Sequence, residues 1–244
     1  MRAIILAAGE GSRLRPLTND RPKCMVEYNG RPILDYQLDA MRQLGIKKIT
    51  IIKGYKEDRV KYPGVDYVVN SRYAETNMVY TLFCAEKFFD DDLIISYGDI
   101  LYGPSILKPV LDSPEDFAVA VSTSWRELWA RRMDNPLEDA ETMKIDGHGN
   151  ILELGKKPRS YEEIQGQYMG LFKICLPLVE KVKKFYHELS PLALYDNRPF
   201  EKMFMTSFIQ EMINRGTEVK AVRVSAEWLE VDSPKDLEVT CHFS

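Results

Sequence analysis

The 244-residue sequence predicts an α/β fold with a mixed, mainly parallel sheet flanked by helices, and a smaller second sheet. Two patterns carry this prediction. In the first half, short apolar runs alternate with segments of helical spacing, which is typical of a parallel sheet covered on both faces. In the second half, strand-like segments follow one another with turns such as Asp146-Gly147 between them, which is typical of antiparallel pairing.

The first half predicts four strands and two helices. The strands are expected at Ala3–Ala7, Ile49–Ile52, Asp66–Val69 and Leu93–Ser96. A helix is predicted over Pro32–Leu44, because residues such as Ile33 and Leu38 recur at helical spacing and Gly45 provides a stop. A second helix is expected over Met78–Ala85.

The second half predicts six strands and three helices. The strands are expected at Phe117–Ser122, Glu141–Ile145, Ile151–Leu154, Tyr168–Ile174, Val219–Val224 and Trp228–Val231. The helices are expected at Leu176–Glu188, at Pro199–Asn214 and after Asp232-Ser233-Pro234, where a cap residue precedes a proline. No linker or internal repeat divides the chain, so a single domain over residues 1–244 is expected, with halves at 1–115 and 116–244.

Composition and charge argue against several classes of function. The net charge of −4 lacks the excess of basic residues that is typical of nucleic-acid-binding proteins. The four cysteines form no CxxC pair, which argues against a zinc knuckle or a redox dithiol. Reduced thiols and a cytoplasmic location are expected, because a chain of this size can bury a core without disulfides. No signal peptide or membrane span is predicted, and we expect neither a nucleic acid nor a membrane as partner.

The most informative segment lies near the amino terminus and combines glycines with fixed cations. A strand that ends at Leu6–Ala8 runs into the sequence GEGSR, and Lys23 follows at the far end of the loop. The absence of side chains at Gly9 and Gly11 would let backbone N–H groups approach a polyphosphate closely. Arg13 and Lys23 would then supply two positive charges.

Three interpretations compete for this loop. A dinucleotide-binding loop requires G-x-G-x-x-G, but Leu14 stands at the third glycine position. A Walker A loop requires G-K-[ST], but neither glycine is followed by lysine. The third interpretation is an ordinary strand-to-loop turn that carries surface cations. The longer pattern, AAGxGxRxxPLT followed by PK, is much more specific than the two glycines alone.

The segments LAAGEGSRLRPLT and RPKCMV resemble the signature of bacterial nucleotidyltransferases, which join a nucleoside triphosphate to a phosphorylated acceptor. The likeness extends to Gly98-Asp99, to ILELGKKP at Ile151–Pro158 and to EVDS at Glu230–Ser233. The short chain is similar to cytidylyltransferases for choline phosphate and related phosphates or phosphonates. The block at Ser124–Thr142 most resembles that of enzymes that make CDP-glutamine from glutamine phosphate for capsule modification.

The resemblance implies a Rossmann-like sheet that binds CTP through residues 1–115 and the acceptor through residues 116–244. The residues expected to bind the nucleotide are Leu6, Ala7, Ala8, Gly9, Gly11, Ser12, Asn77 and Gly98. Arg13 is expected to stabilise the leaving β- and γ-phosphates, and Lys23 to bridge the α-phosphate and the attacking oxygen. No general base is required, because the acceptor phosphate is already ionised near neutral pH. The amide of Asn77 suits a pyrimidine, although a helix cap is an equal alternative.

Two aspartates are candidate ligands of Mg²⁺, the cofactor that the resemblance implies. Asp99 follows the strand LIIS, at the sheet edge where ligands bind in open parallel sheets. Asp232 follows the strand WLEV and could reach the same place. A turn for Asp99 and a helix cap for Asp232 are the structural alternatives. Together with the amino-terminal loop, the pair favours a metal site.

Five residues are candidates for acceptor binding. They are Lys157, Trp125, Arg126, Glu141 and Tyr168. The resemblance assigns Lys157 to the acceptor phosphate, and Lys156 stands where the sugar-phosphate branch has a glutamate, which favours a non-sugar acceptor. Aromatic faces could enclose a quaternary ammonium, whereas paired charges suit an amino-acid zwitterion. The alternative is a helix that packs Trp125 and Trp129 into the core.

The sequence therefore predicts a cytidylyltransferase that condenses CTP with a small amine-bearing phosphate, best represented by L-glutamine phosphate. Choline phosphate and aminoethylphosphonate are alternative acceptors. A sugar-1-phosphate nucleotidyltransferase that uses UTP or dTTP is a second hypothesis. A catalytically silent regulatory subunit is a third, but it would be expected to lack some of Arg13, Lys23, Asp99 and Asp232, and all four are present. The sequence leaves a homodimer open.

Overall fold

Residues 1–243 are described by a computed structural model, with fifteen strands and six α-helices in that range. The strands are β1 (Arg2–Ala7), β2 (Glu27–Tyr28), β3 (Arg31–Pro32), β4 (Lys48–Lys53), β5 (Asp66–Val69), β6 (Leu93–Tyr97), β7 (Ile100–Leu101), β8 (Phe117–Ser122), β9 (Met143–Ile145), β10 (Ile151–Leu154), β11 (Gln167–Ile174), β12 (Leu194–Tyr195), β13 (Arg198–Pro199), β14 (Lys220–Val224) and β15 (Leu229–Glu230). The helices are α1 (Ile33–Gln43), α2 (Met78–Phe83), α3 (Pro104–Asp112), α4 (Trp125–Arg132), α5 (Leu176–Glu188) and α6 (Met205–Asn214). No helix among these residues has the length and apolar character needed to cross a bilayer.

Seven strands form the central sheet, in the order β14–β8–β11–β6–β1–β4–β5. Strand β1 pairs in parallel with β4 and β6, β4 pairs in parallel with β5, and β14 with β8. Strand β11 runs antiparallel to both of its neighbours, β6 and β8. The predicted α/β class with a mixed, mainly parallel sheet is confirmed, and β9 and β10 form one of the small antiparallel sheets.

Helices cover both faces of the sheet, and β1 shows how the sequence directs its side chains to them. Alternate side chains of a strand point to opposite faces. Ala3 and Ile5 are buried in the core layer that includes α1 and α3, whereas Ile4 and Leu6 are buried in the layer that includes α2, α5 and α6. Because both faces of β1 are covered, its sequence is apolar without alternation.

Three helical segments differ from the expectations. The segment Pro199–Asn214 is divided into a short 3₁₀ helix at Phe200–Lys202 and helix α6, because Phe204 is extended (φ −73°, ψ 154°). Helix α3 lies outside the predicted elements, since the proline at position 109 interrupts the helical sequence signal. The final helix is a 3₁₀ helix, Pro234–Glu238, capped by Ser233.

The tryptophan-rich block forms helix α4, whose buried side chains are Trp125, Leu128, Trp129 and Arg132. The alternative in which this helix packs its tryptophans into the core is confirmed. The burial of Arg132 was not expected, because a helix normally turns its arginines to solvent.

Strand pairing brings distant parts of the chain to the carboxyl end of β6. The N–H of Gly98 donates to the carbonyl of Leu6 (3.0 Å), which joins β6 to β1. Strand β15 pairs antiparallel with β7, and the N–H of Val231 donates to the carbonyl of Asp99 (3.0 Å). As a result, the segment around Asp232 lies beside Asp99.

Candidate active site

A cavity of about 590 Å³ lies at the carboxyl ends of β1 and β6. Its lining combines the amino-terminal loop, carboxylates and aromatic side chains. The lining residues are Gly9, Gly11, Ser12, Arg13, Lys23, Asn77, Met78, Tyr97, Asp99, Trp129, Asp139, Glu141, Gln167, Tyr168, Met169, Gly170, Phe204, Thr206, Trp228, Glu230 and Asp232. Ligands of open α/β sheets bind at this edge, so the cavity is the candidate active site.

The conformation of the amino-terminal loop depends on Gly11. Gly11 adopts a left-handed backbone conformation (φ 69°), and a Cβ atom there would lie 2.8 Å from the Cβ of Lys23. No atom lies within 4 Å of the Cβ position of Gly9. The hydroxyl of Thr18 donates to the carbonyl of Gly11 (3.0 Å) and closes the loop. The loop therefore needs glycine at position 11 for both conformation and space.

The residues predicted to bind the nucleotide fall into two groups. Those that line the cavity are Gly9, Gly11, Ser12 and Asn77. Those that lie outside its lining are Leu6, Ala7, Ala8 and Gly98, all of which are buried. The side-chain oxygen of Asn77 accepts from the N–H of Met78 (2.8 Å), so Asn77 caps α2 while also lining the cavity.

Lys23 lies between the two predicted metal ligands. Its Nζ is 2.7 Å from Oδ2 of Asp99 and 2.6 Å from Oδ1 of Asp232. Although burial opposes the charge, Asp99 and Asp232 raise the pKa of Lys23 above its usual value, so the amine is cationic. Burial likewise opposes ionisation of Asp232, but Lys23 lowers the pKa of that carboxyl. Arg13, whose side chain is 69% exposed, adds a contact of 2.8 Å to Asp232.

A third carboxylate, that of Glu230, lies with those of Asp99 and Asp232, although only the two aspartates were predicted as metal ligands. One oxygen from each of Asp99, Glu230 and Asp232 lies within 4.8 Å of the others. Burial, together with the charges of Asp232 and Asp99, raises the pKa of Glu230 to about 8. The group therefore carries less negative charge at neutral pH than three free carboxylates would, unless a cation is present.

The three carboxylates fit a divalent cation. Oδ1 of Asp99 is buried and has no hydrogen-bond partner among the described residues. Carboxylate oxygens are the hard ligands that Mg²⁺ prefers. A ligand atom without a partner, next to two further carboxylates, is the arrangement expected of a metal site.

Arg132 lies behind this acidic group, with a side chain that is 2% exposed. Its Nε donates to Oδ1 of Asp236 (2.8 Å), and its two terminal nitrogens lie 3.5 Å from Glu230 and 3.6 Å from Asp232. The other oxygen of Asp236 accepts from the N–H groups of Asp232 (2.8 Å) and Ser233 (2.7 Å). The buried cation therefore holds the backbone that carries Asp232.

The residues predicted to bind the acceptor are divided by the structure. Glu141 and Tyr168 line the cavity, whereas Trp125, Arg126 and Lys157 do not. Trp125 is 5% exposed and stacks with a tyrosine ring at 6.1 Å. The Arg126 guanidinium lies 4.0 Å from the centre of that same ring. Nζ of Lys157 donates to the carbonyl of a nearby leucine (2.8 Å). These three side chains therefore have structural contacts outside the cavity.

The lining residues that the sequence-based predictions missed include Gln167, Trp228 and Glu230. Trp228, Glu230 and Asp232 alternate along one segment, so an extended backbone would direct all three side chains to one side. That alternation was a usable signal for Trp228 and Glu230. No comparable signal identifies Gln167, because its position depends on the pairing of β11 with β8.

Comparison with known proteins identifies the family. Residues 3–201 match the model of the MobA-like NTP transferase domain. The chain therefore belongs to the MobA-like NTP transferase family and is a nucleotidyltransferase, which confirms the family that its amino-terminal motif predicted.

Individual relatives within the nucleotidyltransferases are more specific than the family model. The chain is 46% identical over 98% of its length, and 98% of the relative's, to the CTP:phosphoglutamine cytidylyltransferase of Campylobacter jejuni. It is 38% identical to the choline-phosphate cytidylyltransferase of Streptococcus pneumoniae over 42% of this chain and 46% of that protein. Among solved structures, the inositol-1-phosphate CTP transferase from T. maritima matches with a TM-score of 0.75, at 24% identity, over 96% of this chain and 90% of that one. This last likeness concerns the fold alone.

Proposed function

We propose that this chain condenses CTP with L-glutamine phosphate to give CDP-glutamine and pyrophosphate. The observation that carries the proposal is the 46% identity to a CTP:phosphoglutamine cytidylyltransferase over nearly the whole of both chains. The cavity supports it, because it combines the glycine loop, Lys23 and three carboxylates at one end of the sheet.

In the proposed reaction, an oxygen of the acceptor phosphate attacks the α-phosphorus of CTP and pyrophosphate leaves. Backbone N–H groups at Gly9, Gly11 and Ser12 bind the triphosphate. Arg13, which is exposed at the cavity, neutralises the charge that develops on the leaving pyrophosphate. Lys23 contacts the α-phosphate and the attacking oxygen, so that its fixed charge stabilises the transition state. The acceptor phosphate is ionised at neutral pH and needs no general base.

Asp99 and Asp232 would hold Mg²⁺, with Glu230 as a third carboxylate beside them. When bound, the ion supplies charge neutralisation to the triphosphate. The contribution of the chain itself is to keep the carboxylates in place. Lys23 supports them from one side and Arg132 from the other.

The two halves of the chain are proposed to divide the substrates. Residues 1–115 contribute the glycine loop and Asn77 to the cavity, and residues 116–244 contribute Glu141 and Tyr168. Asp232 belongs to the second half but lies beside Asp99, so the metal site draws on both halves. A cytoplasmic location, where CTP is available, and a role in capsule modification complete the proposal.

Choline phosphate is the second candidate acceptor. The observation that favours it is the 38% identity to a choline-phosphate cytidylyltransferase, which covers less than half of the chain. The two candidates share a phosphate and a cationic nitrogen, but they differ in the carboxylate that glutamine phosphate carries.

A pyrophosphate-release screen tests the proposal. CTP, UTP, dTTP and ATP are crossed with glutamine phosphate, choline phosphate, aminoethylphosphonate and glucose 1-phosphate. We expect the highest kcat/KM with CTP and glutamine phosphate. Higher turnover with choline phosphate would support the second candidate, and turnover of glucose 1-phosphate alone would contradict both.

Lys23→Ala tests the mechanism. Loss of a fixed transition-state charge is expected to lower kcat by about 10²–10³-fold. The matched control is Lys47→Ala, because Lys47 is exposed and outside the cavity. Circular dichroism of both variants would establish that they fold. Undiminished pyrophosphate release by Lys23→Ala would refute the role given to this lysine.

A further inference from the structure

Glu141 lines the cavity, and hydrogen bonds from one buried side chain fix its backbone. The backbone N–H of Glu141 donates to Oε1 of Gln167 (3.0 Å), and the backbone carbonyl of Glu141 accepts from Nε2 of the same side chain (2.6 Å). Gln167 is 4% exposed. One buried amide therefore fixes the backbone at Glu141 from both sides, which limits where its carboxylate can lie.

No hydrogen bond or ion pair to the carboxylate of Glu141 occurs among the described residues. The charged groups that act on it are acidic. Burial, followed by the charges of Asp139 and Asp196, raises the pKa of Glu141 to about 7. An unpaired carboxylate in a partly buried site is costly to maintain, and a cationic ligand would remove that cost.

The surroundings of Glu141 favour an organic cation. Trp129 and Trp228 line the same cavity, and aromatic faces attract ammonium groups. Nε1 of Trp228 is buried and has no hydrogen-bond partner among the described residues, although the side chain is only 2% exposed. Glu141 is also not part of the three-carboxylate group.

We propose that Glu141 binds the ammonium group of the acceptor and that Gln167 is the positioning residue that holds it. The inference rests on the proposed function, in that the acceptor is a phosphate that carries an amine. Glu141 thus selects phosphates of amino acids or amino alcohols over phosphates that lack an ammonium group. It does so at a point in the cavity that the second half of the chain forms.

Steady-state kinetics with a matched pair of acceptors tests the proposal. The pair is glutamine phosphate and its deaminated analogue, phosphorylated glutaramic acid, which differ only in the ammonium group. Glu141→Gln is expected to raise the KM for glutamine phosphate about 10- to 100-fold, the effect of one charge-assisted hydrogen bond, with little change in kcat. The KM for the deaminated analogue and for CTP should stay within about threefold of the wild-type values. Glu138→Gln is the control, because Glu138 is exposed and outside the cavity lining.

Gln167→Met tests the positioning role, because it keeps the length of the side chain and removes both hydrogen bonds to Glu141. It should raise the KM for glutamine phosphate without a matching change for the deaminated analogue. A change of equal size for both acceptors would show that Gln167 is merely structural. An unchanged preference of Glu141→Gln for the ammonium-bearing acceptor would overturn the inference about Glu141.

The ammonium site proposed at Glu141 and the proposed function can be refuted separately. If the wild-type enzyme does not use glutamine phosphate, the proposed function fails, and the same variants are compared on ethanolamine phosphate and ethylene glycol phosphate. Loss of the preference for ethanolamine phosphate in Glu141→Gln would then still support the ammonium site. Retention of that preference would overturn it.

Discussion

Replacement of Arg132 by methionine is expected to be the most destabilising change near the site. Methionine keeps most of the length of the arginine side chain but removes its charge and all of its donors. Arg132 is 2% exposed, and its guanidinium is the cation that Asp236, Glu230 and Asp232 share. Without it, the carboxylate of Asp236, which is 3% exposed, would remain buried and unpaired by any cation.

The magnitude follows from this burial. Removal of one partner from a buried ion pair costs about 3–5 kcal/mol, because the remaining charge is left without compensation. For a domain of this size, each kcal/mol corresponds to about 2–4 °C in Tm, so a decrease of roughly 6–20 °C is expected. The sequence neighbour Arg131 is 42% exposed and pairs with the exposed Glu227 at 3.3 Å. Exposed ion pairs contribute about 0–1 kcal/mol, so Arg131→Met should lower Tm by a few degrees at most.

Urea denaturation of the two variants and the wild type, followed by circular dichroism, measures the free energy of unfolding. The m value should be unchanged if both variants unfold from the same compact state. A loss for Arg132→Met no larger than that for Arg131→Met would refute the reasoning. In that case the buried acidic residues would not depend on the guanidinium of Arg132 for their stability.

Three further predictions concern other residues. The pKa of Glu141 is raised from 4.5 to about 7, so its contribution to stability is complete below pH 4.5 and is lost as the pH rises from there through about 7. Each unit of pKa difference is worth about 1.4 kcal/mol. In urea titrations between these pH values, the wild type should therefore lose up to about 3 kcal/mol of stability relative to Glu141→Gln. Gly98→Ala would place a Cβ atom 2.8 Å from the carbonyl of Leu6 and should cost about 1–3 kcal/mol by calorimetry, whereas Gly147→Ala, with no atom within 4 Å, should be nearly neutral. Tyr28→Phe removes hydrogen bonds to Val239 and Cys241 (2.8 and 2.9 Å) and should cost about 1–3 kcal/mol and speed hydrogen exchange near the carboxyl terminus; unchanged exchange there would contradict this.

Several features were predictable because they are local. The strands β1, β4 and β6 are continuous apolar runs, and such runs identify buried parallel strands without knowledge of their neighbours. The loop around Gly11 was predictable for the same reason, since glycine is required both for its left-handed conformation and for the space beside Lys23. The family was indicated by the resemblance of this loop, and of the Pro22-Lys23 segment after it, to the nucleotidyltransferase signature.

Other features depend on contacts between distant segments. Glu230 joins Asp99 only because β15 pairs with β7, and strand pairing across about 130 positions cannot be read from either segment alone. Arg132 is buried because three acids meet its guanidinium, although propensity and charge predict an exposed residue. Lys157 was assigned to the acceptor phosphate by resemblance, and only the structure shows that its Nζ donates to a backbone carbonyl.

The sequence by itself thus indicated the class of fold, the glycine loop and, through the resemblance of its motifs, the nucleotidyltransferase family. The fold class and the loop depend on residue periodicity and on backbone conformations that neighbouring residues impose. The tertiary structure alone decided which carboxylates meet, which arginine is buried and which side chains line the cavity. Ion pairing and desolvation act between side chains that are close in space, and proximity in space is set by the packing of the whole sheet and its helices.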